Sequence, residues 1–241
     1  MNKFISLLLG VCILLSGCNK NDEDYRIPTR KISKEKALEI YDGINEAVNE
    51  LIDNIKNNTQ SFYGSREYLR ENNEGISIYL KTGFAINFEA NECLKIENID
   101  EIETGNYYKY EEENELLKHY YLPNLECTEY SGDNPKDVNS AAYNWNTITK
   151  EIKSSYSILL YLYKEIEIFF KYNSKNIKYY SSKKGELYIE YKYEDMEYNY
   201  YFKDYLPKEL KNTYYNYDTD FNVSNVLYFS LNAKDFMPNV N

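Results

Sequence analysis

The stretch Leu187-Tyr188-Ile189-Glu190-Tyr191-Lys192-Tyr193, Glu194-Asp195, Met196-Glu197-Tyr198-Asn199-Tyr200-Tyr201-Phe202 carries the clearest fold signal in the chain. Apolar and aromatic residues alternate with polar ones on both sides of Glu194-Asp195. Side chains of a strand point to alternate faces, so each half presents one apolar face. A two-residue connection sets Tyr193 against Met196, Tyr191 against Tyr198, Ile189 against Tyr200 and Leu187 against Phe202. All four pairs then fall on one face, which supports the register, since a slip of one residue would turn every one of them over; Glu-Asp is not a favoured tight turn, so a longer loop with the same register is the alternative.

Working outward, Val226 to Leu231 reads as a final strand. Upstream, Ile76, Ile78 and Leu80 alternate with Ser77 and Tyr79, and Phe84, Ile86 and Phe88 alternate with Ala85 and Asn87. Lys81-Thr82-Gly83 between them reads as the turn of a second hairpin. Glu92 to Ile96 adds a strand, with weaker candidates at Tyr107 to Tyr110 and Leu116 to Leu122. Ser131-Gly132-Asp133-Asn134-Pro135 reads as a loop.

Two helices are expected. Ser33 caps the first, and Glu35 in its first turn suits the positive end of the dipole. Ala37, Tyr41, Ile44, Val48, Leu51 and Ile55 follow in steps of four and three, one apolar stripe ending at Lys56-Asn57-Asn58. The second runs from Asp137 to about Tyr172, with a bend expected near Ser154-Ser155. Its second half is apolar on nearly all sides, as in a buried helix. The expectation is an α+β fold, antiparallel strands packed against two long amphipathic helices, forming a single domain over residues 33–241.

The N-terminus carries a different signal. Lys3 precedes an apolar run of about 12 residues from Phe4 to Leu15, too short for a helix spanning a bilayer core, which takes roughly 20. Ser16-Gly17-Cys18 closes it, as in a secretory signal. Leu15-Ser16-Gly17-Cys18 resembles the lipobox of bacterial lipoproteins. That resemblance implies cleavage before Cys18, a diacylglyceryl group on its thiol, and usually acylation (palmitate, for example) of the new amino group. It divides the chain into a signal peptide, residues 1–17, and a lipidated Cys18 with a polar tether, residues 18–32, rich in charge and too poor in apolar surface to offset its ordering entropy. Asn19 after the lipid site leans towards the outer membrane where two membranes exist. Lys20-Asn21-Asp22-Glu23-Asp24 resembles the acidic surface-export tag of some Bacteroidota lipoproteins. Membrane partnership is therefore expected through the lipid anchor, in the cell envelope.

The chain has 241 residues and a net charge of −11, and the leader removes one further positive charge. With no basic stripe, nucleic acid is excluded as an expected partner. Of four cysteines, Cys12 leaves with the leader and Cys18 takes the lipid. Cys93 and Cys127 remain. A bridge between them would stabilise by roughly 3–4 kcal/mol on a loop-entropy argument; two free thiols are the alternative, and both stay open.

No catalytic, cofactor or metal residue stands out. His119 is the only histidine, and no nucleophile or orienting acid accompanies it. Asp218, Asp220 and Asn222 imitate the start of a calcium loop, but Val223 and Phe229 replace the Gly and Glu that such a loop needs. The 29 tyrosines include the doublets 107–108, 120–121, 179–180, 200–201 and 214–215. On strands each doublet points one ring to each face, so a solvent-facing aromatic platform for a protein, peptide or glycan ligand is expected. Three functions remain in view. The first is a non-enzymatic binding or assembly module, which needs a contiguous exposed Tyr patch. The second is an envelope hydrolase using paired carboxylates, which needs a cleft holding both. The third is a protective lipoprotein that neutralises a toxin.

Overall fold

The computed structural model describes residues 27–75, 77–99, 102–171 and 174–239. The lipobox, Cys18 and the tether up to residue 26 lie outside the described residues. Residues 28–237 form one compact unit. Within it no described helix is long and apolar enough to cross a membrane.

One antiparallel sheet of 12 strands dominates. After β1 (Lys31–Ile32) and helix α1 (Lys34–Lys56) come β2 (Phe62–Glu71), β3 (Ser77–Asn87), β4 (Glu92–Ile99), β5 (Ile102–Glu111), β6 (Leu116–Tyr121) and β7 (Glu126–Ser131). Helix α2 (Ala141–Leu162), a 3-10 turn (Tyr163–Ile166) and short α3 (Glu167–Lys171) follow. Then come β8 (Ile177–Tyr180), β9 (Leu187–Tyr193), β10 (Met196–Lys203), β11 (Leu206–Asn216) and β12 (Phe221–Ser230). The order across the sheet is β1-β8-β9-β10-β11-β12-β2-β3-β4-β5-β6-β7. Two consecutive meanders are thus joined where β12 pairs antiparallel with β2.

This topology corrects the expected α+β fold of strands packed against two long helices. The molecule is mostly sheet, with three α-helices among the described residues as its filling. Laid flat at about 4.8 Å per strand, 12 strands would span roughly 50 Å. Two helices, each about 10 Å across, cannot cover that width. Yet α1 and α2 share one buried cluster with residues of β2, β3, β4 and β8 to β12. The sheet therefore curls round the helices, as its right-handed twist allows.

The hairpin at Glu194-Asp195 forms in the expected register, with all four apolar pairs opposed. Glu194 takes a left-handed backbone, φ 49°, which lets so short a connection close without Gly. Helix α1 also matches its stripe: Ser33 Oγ accepts from Lys36 N, and Ala37, Tyr41, Ile44, Val48, Leu51, Ile52 and Ile55 are buried. Three readings are corrected. The Lys81-Thr82-Gly83 turn is the interior of a single strand, where Gly83 pairs with Ser65 and Ile96. The second helix begins at Ala141, leaving Val138 exposed, and it breaks at the 3-10 turn Tyr163–Ile166 rather than at Ser154-Ser155. Lys31–Ile32, read as the end of the tether, pair with Tyr179 and Tyr180 as an edge strand.

The core sits between the helices and one end of the sheet. Phe62 stacks on Tyr156 with ring centroids 4.0 Å apart, and both are fully buried. Burying a side chain of this size contributes about 1.5–3 kcal/mol. A Cβ at Gly64 would lie 2.8 Å from the Tyr156 ring, so Gly is what lets α2 approach β2 this closely.

Candidate binding face

Alternation along each strand assigns its residues to the helix-bearing face or to the opposite one. On β2 the helix-bearing face reads Phe62, Gly64, Arg66, Tyr68, Arg70, and on β3 it reads Ile86, Phe84, Thr82, Leu80, Ile78. At one end of these strands the helices cover that face. At the other end, where β2–β3, β4–β5 and β9–β10 turn, they leave it uncovered.

The uncovered part has a definite composition. Twelve large hydrophobic side chains are exposed among the described residues, and six of them, Leu80, Ile99, Ile102, Tyr121, Tyr193 and Met196, belong to this face. Ile99 and Ile102, paired across β4 and β5, are 54% and 69% exposed. One cross-strand row runs Tyr198, Asn212, Asn225, Tyr68, Leu80, Ile99 over six adjacent strands. Beside it lies a cavity of about 230 Å³, lined by Arg66, Tyr200, Leu210, Lys211, Asn212, Asn225 and Leu227, with no carboxylate in its wall; by strand alternation the Lys211 side chain belongs to the opposite face of β11. Arg66 Nη2 donates to Asn225 Oδ1 at 3.1 Å. The Asn212 Oδ1 and Arg70 Nε atoms are buried without a hydrogen-bond partner. Arg70 lays its guanidinium 3.8 Å from the centre of the Phe221 ring.

Other sequence candidates land elsewhere. Cys93 is buried on the helix-bearing face of β4, and burial pushes its thiol up. Cys127 is exposed on edge strand β7 and faces the other way. Both thiols are free, and β5 and β6 separate their strands by three strand spacings, roughly 14 Å. Bridged Cα atoms must lie within about 7 Å, so this arrangement corrects the disulfide alternative. His119 stacks on Tyr108 at 4.5 Å, and its Nε2 is 2.8 Å from Asn106 Oδ1. Desolvation lowers its pKa, and no carboxylate orients it. Asp220 accepts a hydrogen bond from the Tyr215 hydroxyl. No group of three or more metal-ligating side chains occurs among the described residues.

The tyrosine doublets do not form a platform. Tyr107, Tyr179, Tyr200 and Tyr201 are buried, and the others are scattered over β5, β6, β8 and β11. Tyr201 points away from the helices yet is covered, donating to Glu186 Oε1 at 3.1 Å. In place of the expected contiguous Tyr patch, the face carries two apolar groups, Leu80, Ile99, Ile102 and Tyr121 on β3 to β6 and Tyr193 and Met196 on β9 and β10, with β11, β12 and β2 between them. Neither the cavity beside Arg66 nor the larger one of about 510 Å³, between β1, α1 and the loop 181–185, holds a carboxylate pair among the described residues; the larger has Glu39 as its one acid.

Arg66, Arg70, Asn212 and Asn225 escaped the reading of the sequence. The available signal was scarcity: the chain has four arginines, and two sit four residues apart in Arg66-Glu67-Tyr68-Leu69-Arg70, which places both on one face if that segment is extended.

No protein-family model matches the chain. No curated protein matches it by sequence. Among solved structures, it is similar to a DUF1329 family protein from Desulfovibrio piger, at 9% identity and a TM-score of 0.19, covering 77% of this chain and 90% of that one. It is also similar to a LolA superfamily protein from Nitrosomonas europaea, at 11% identity and a TM-score of 0.20, over the same shares. Scores this low do not establish a common fold, and the chain's architecture stands on its own strand pairing.

Proposed function

We propose that this protein is a membrane-anchored lipoprotein of the cell envelope that acts by binding, without catalysis, and that the uncovered helix-bearing face is its binding surface. The observation that carries this reading is the gathering of half the exposed large hydrophobic side chains on that one face. Exposed large apolar side chains gathered on one face mark a surface that a partner covers. The cavity beside the face offers hydrogen-bonding amides and a guanidinium but no acid–base pair, which favours recognition over hydrolysis.

Two experiments test the parts separately. For the anchor, Cys18→Ser is expected to move the protein from the membrane fraction to the soluble exported fraction; retention in membranes overturns lipidation. For the face, a photo-crosslinking residue is placed at Ile102 or Tyr193, and a control at Ser224 on the opposite face of β12. Irradiating intact cells is expected to give a discrete adduct from the first two positions and none from the third. Equal adducts from both faces overturn the assignment.

A further inference from the structure

We infer that the segment received by this face is a protein chain carrying a carboxylate side chain between apolar ones, and that Arg66 is the carboxylate's partner. This rests on the binding reading above and names its ligand chemistry.

The chain holds 39 acidic and 28 basic residues, so carboxylates are plentiful. The salt bridges among the described residues all use Lys. Arg66 and Arg70, the two arginines of the sheet, form none. Arg66 meets only the neutral oxygen of Asn225, and Arg70 only the face of Phe221. Arginine is the side chain whose planar fork matches a carboxylate with two parallel hydrogen bonds. Here the fork stands on the uncovered face with no acid among the described residues to fill it.

The second observation is independent of charge. Asn212 Oδ1, in the wall of the cavity that Arg66 lines, is buried with no donor. An unmet buried acceptor is unfavourable until a donor arrives. A ligand that complements these groups brings an anionic acceptor to Arg66 and a hydrogen-bond donor to Asn212. A peptide unit does both, the carboxylate through its side chain and the donor through its backbone N–H.

The flanks choose between peptide and sugar. On either side of the Asn212–Asn225 pair the row continues through Tyr68, Leu80 and Ile99 one way and Tyr198 the other, with Met196 and Tyr193 beyond. Exposed Leu, Ile and Met give aliphatic contact suited to apolar side chains, whereas a sugar is best met by flat aromatic rings. The overall excess of acid repels a polyanion but not a single carboxylate held within hydrogen-bond reach of a guanidinium.

The test uses the full chain carrying Cys18→Ser, so that no acyl group competes for the apolar face. The probe is an immobilised nonapeptide array with Glu, Gln or Lys at the centre, flanked either by Leu, Ile and Tyr or by Ser, alongside an array of uronate-containing oligosaccharides. Central Glu with apolar flanks is expected to retain at least tenfold more protein than central Gln or than Ser flanks. Arg66→Gln is expected to abolish the Glu-over-Gln preference, and Arg66→Lys to keep a reduced one, because an ammonium lacks the fork. Preference unchanged in Arg66→Gln, or stronger retention on the uronate array, overturns the inference. Retention on apolar peptides whatever the central residue, lost in Ile102→Lys, overturns the carboxylate assignment and leaves the binding face standing. No retention on either array, together with equal crosslinking from both faces in cells, overturns both.

Discussion

Phe62 and Arg66 lie on the same strand and the same face, four residues apart, and have opposite fates. Phe62 is fully buried against Tyr156 of α2, while Arg66 is exposed beside a cavity. The contrast repeats on β10, where Phe202 is sealed under the helices and Met196 is exposed. Strands of ten or eleven residues are about 33–36 Å long, whereas a helix lying across them covers about 10 Å. One end of each strand therefore serves the core, and the other has surface to spare. The two ends obey different rules. At the covered end, volume and shape decide; at the uncovered end, charge and exposed apolar area do.

Three measurements probe that division. The largest effect is expected at the covered end. Phe62→Ala removes the ring stacked on Tyr156 and leaves a cavity between α2 and β2, so unfolding in denaturant should show a loss of about 3–5 kcal/mol. A loss under 1 kcal/mol would mean that the helices do not seal this end.

A loss of intermediate size is expected from alkali. Burial pushes Tyr108, Tyr179, Tyr188 and Tyr228 up to about 12, while an unfolded Tyr ionises near 10. The folded chain holds protons that the unfolded chain releases, so this stability is complete below about pH 10 and is lost as pH rises towards 12. Absorbance at 295 nm should show one class of tyrosines titrating near 10 and a second appearing together with the loss of circular dichroism. A single transition near 10 with the fold intact would refute it.

The smallest effect on stability belongs to the uncovered end. Ile102→Lys exchanges an exposed side chain for a charged one, and stability should stay within about 0.5 kcal/mol. Thermal melting of the variant checks this. A large drop would show that Ile102 is part of the core after all, and the two ends would cease to be distinct.

The same division explains what could be read in advance. Helix α1 was legible because its stripe packs on the core along its whole length, so period and burial agree. The β9–β10 hairpin was legible because its apolar face continues from Leu187 to Tyr193. Strand β2 was not, since its helix-bearing face runs Phe62, Gly64, Arg66, Tyr68, Arg70, apolar only where helices cover it. The strand that holds the candidate site is thus the one whose alternation the site interrupts. Strand β11 was missed for a related reason: Asn212 stands where a fully covered strand would carry an apolar residue. Gly83 misled in the opposite way. It suggested a turn, but on β3 it occupies an interior position of the strand, where an added Cβ would meet the Tyr63 hydroxyl at an ordinary contact distance of 3.5 Å.

By itself, the sequence determined local structure wherever one physical demand governed a whole segment: the cap and stripe of α1, the register about Glu194-Asp195, the acidic balance, and the lipobox resemblance at Cys18. Only the tertiary structure decided that the two meanders join through β12 and β2 into one sheet, that Cys93 and Cys127 lie on opposite faces three strands apart, and that Arg66, Asn212 and Asn225 meet. The reason is sequence distance. Arg66 and Asn225 are 159 residues apart, and nothing local to either specifies the strand that will lie beside it. Their neighbourhood is set by the antiparallel pairing of β12 with β2, which depends on the burial of many apolar side chains at once.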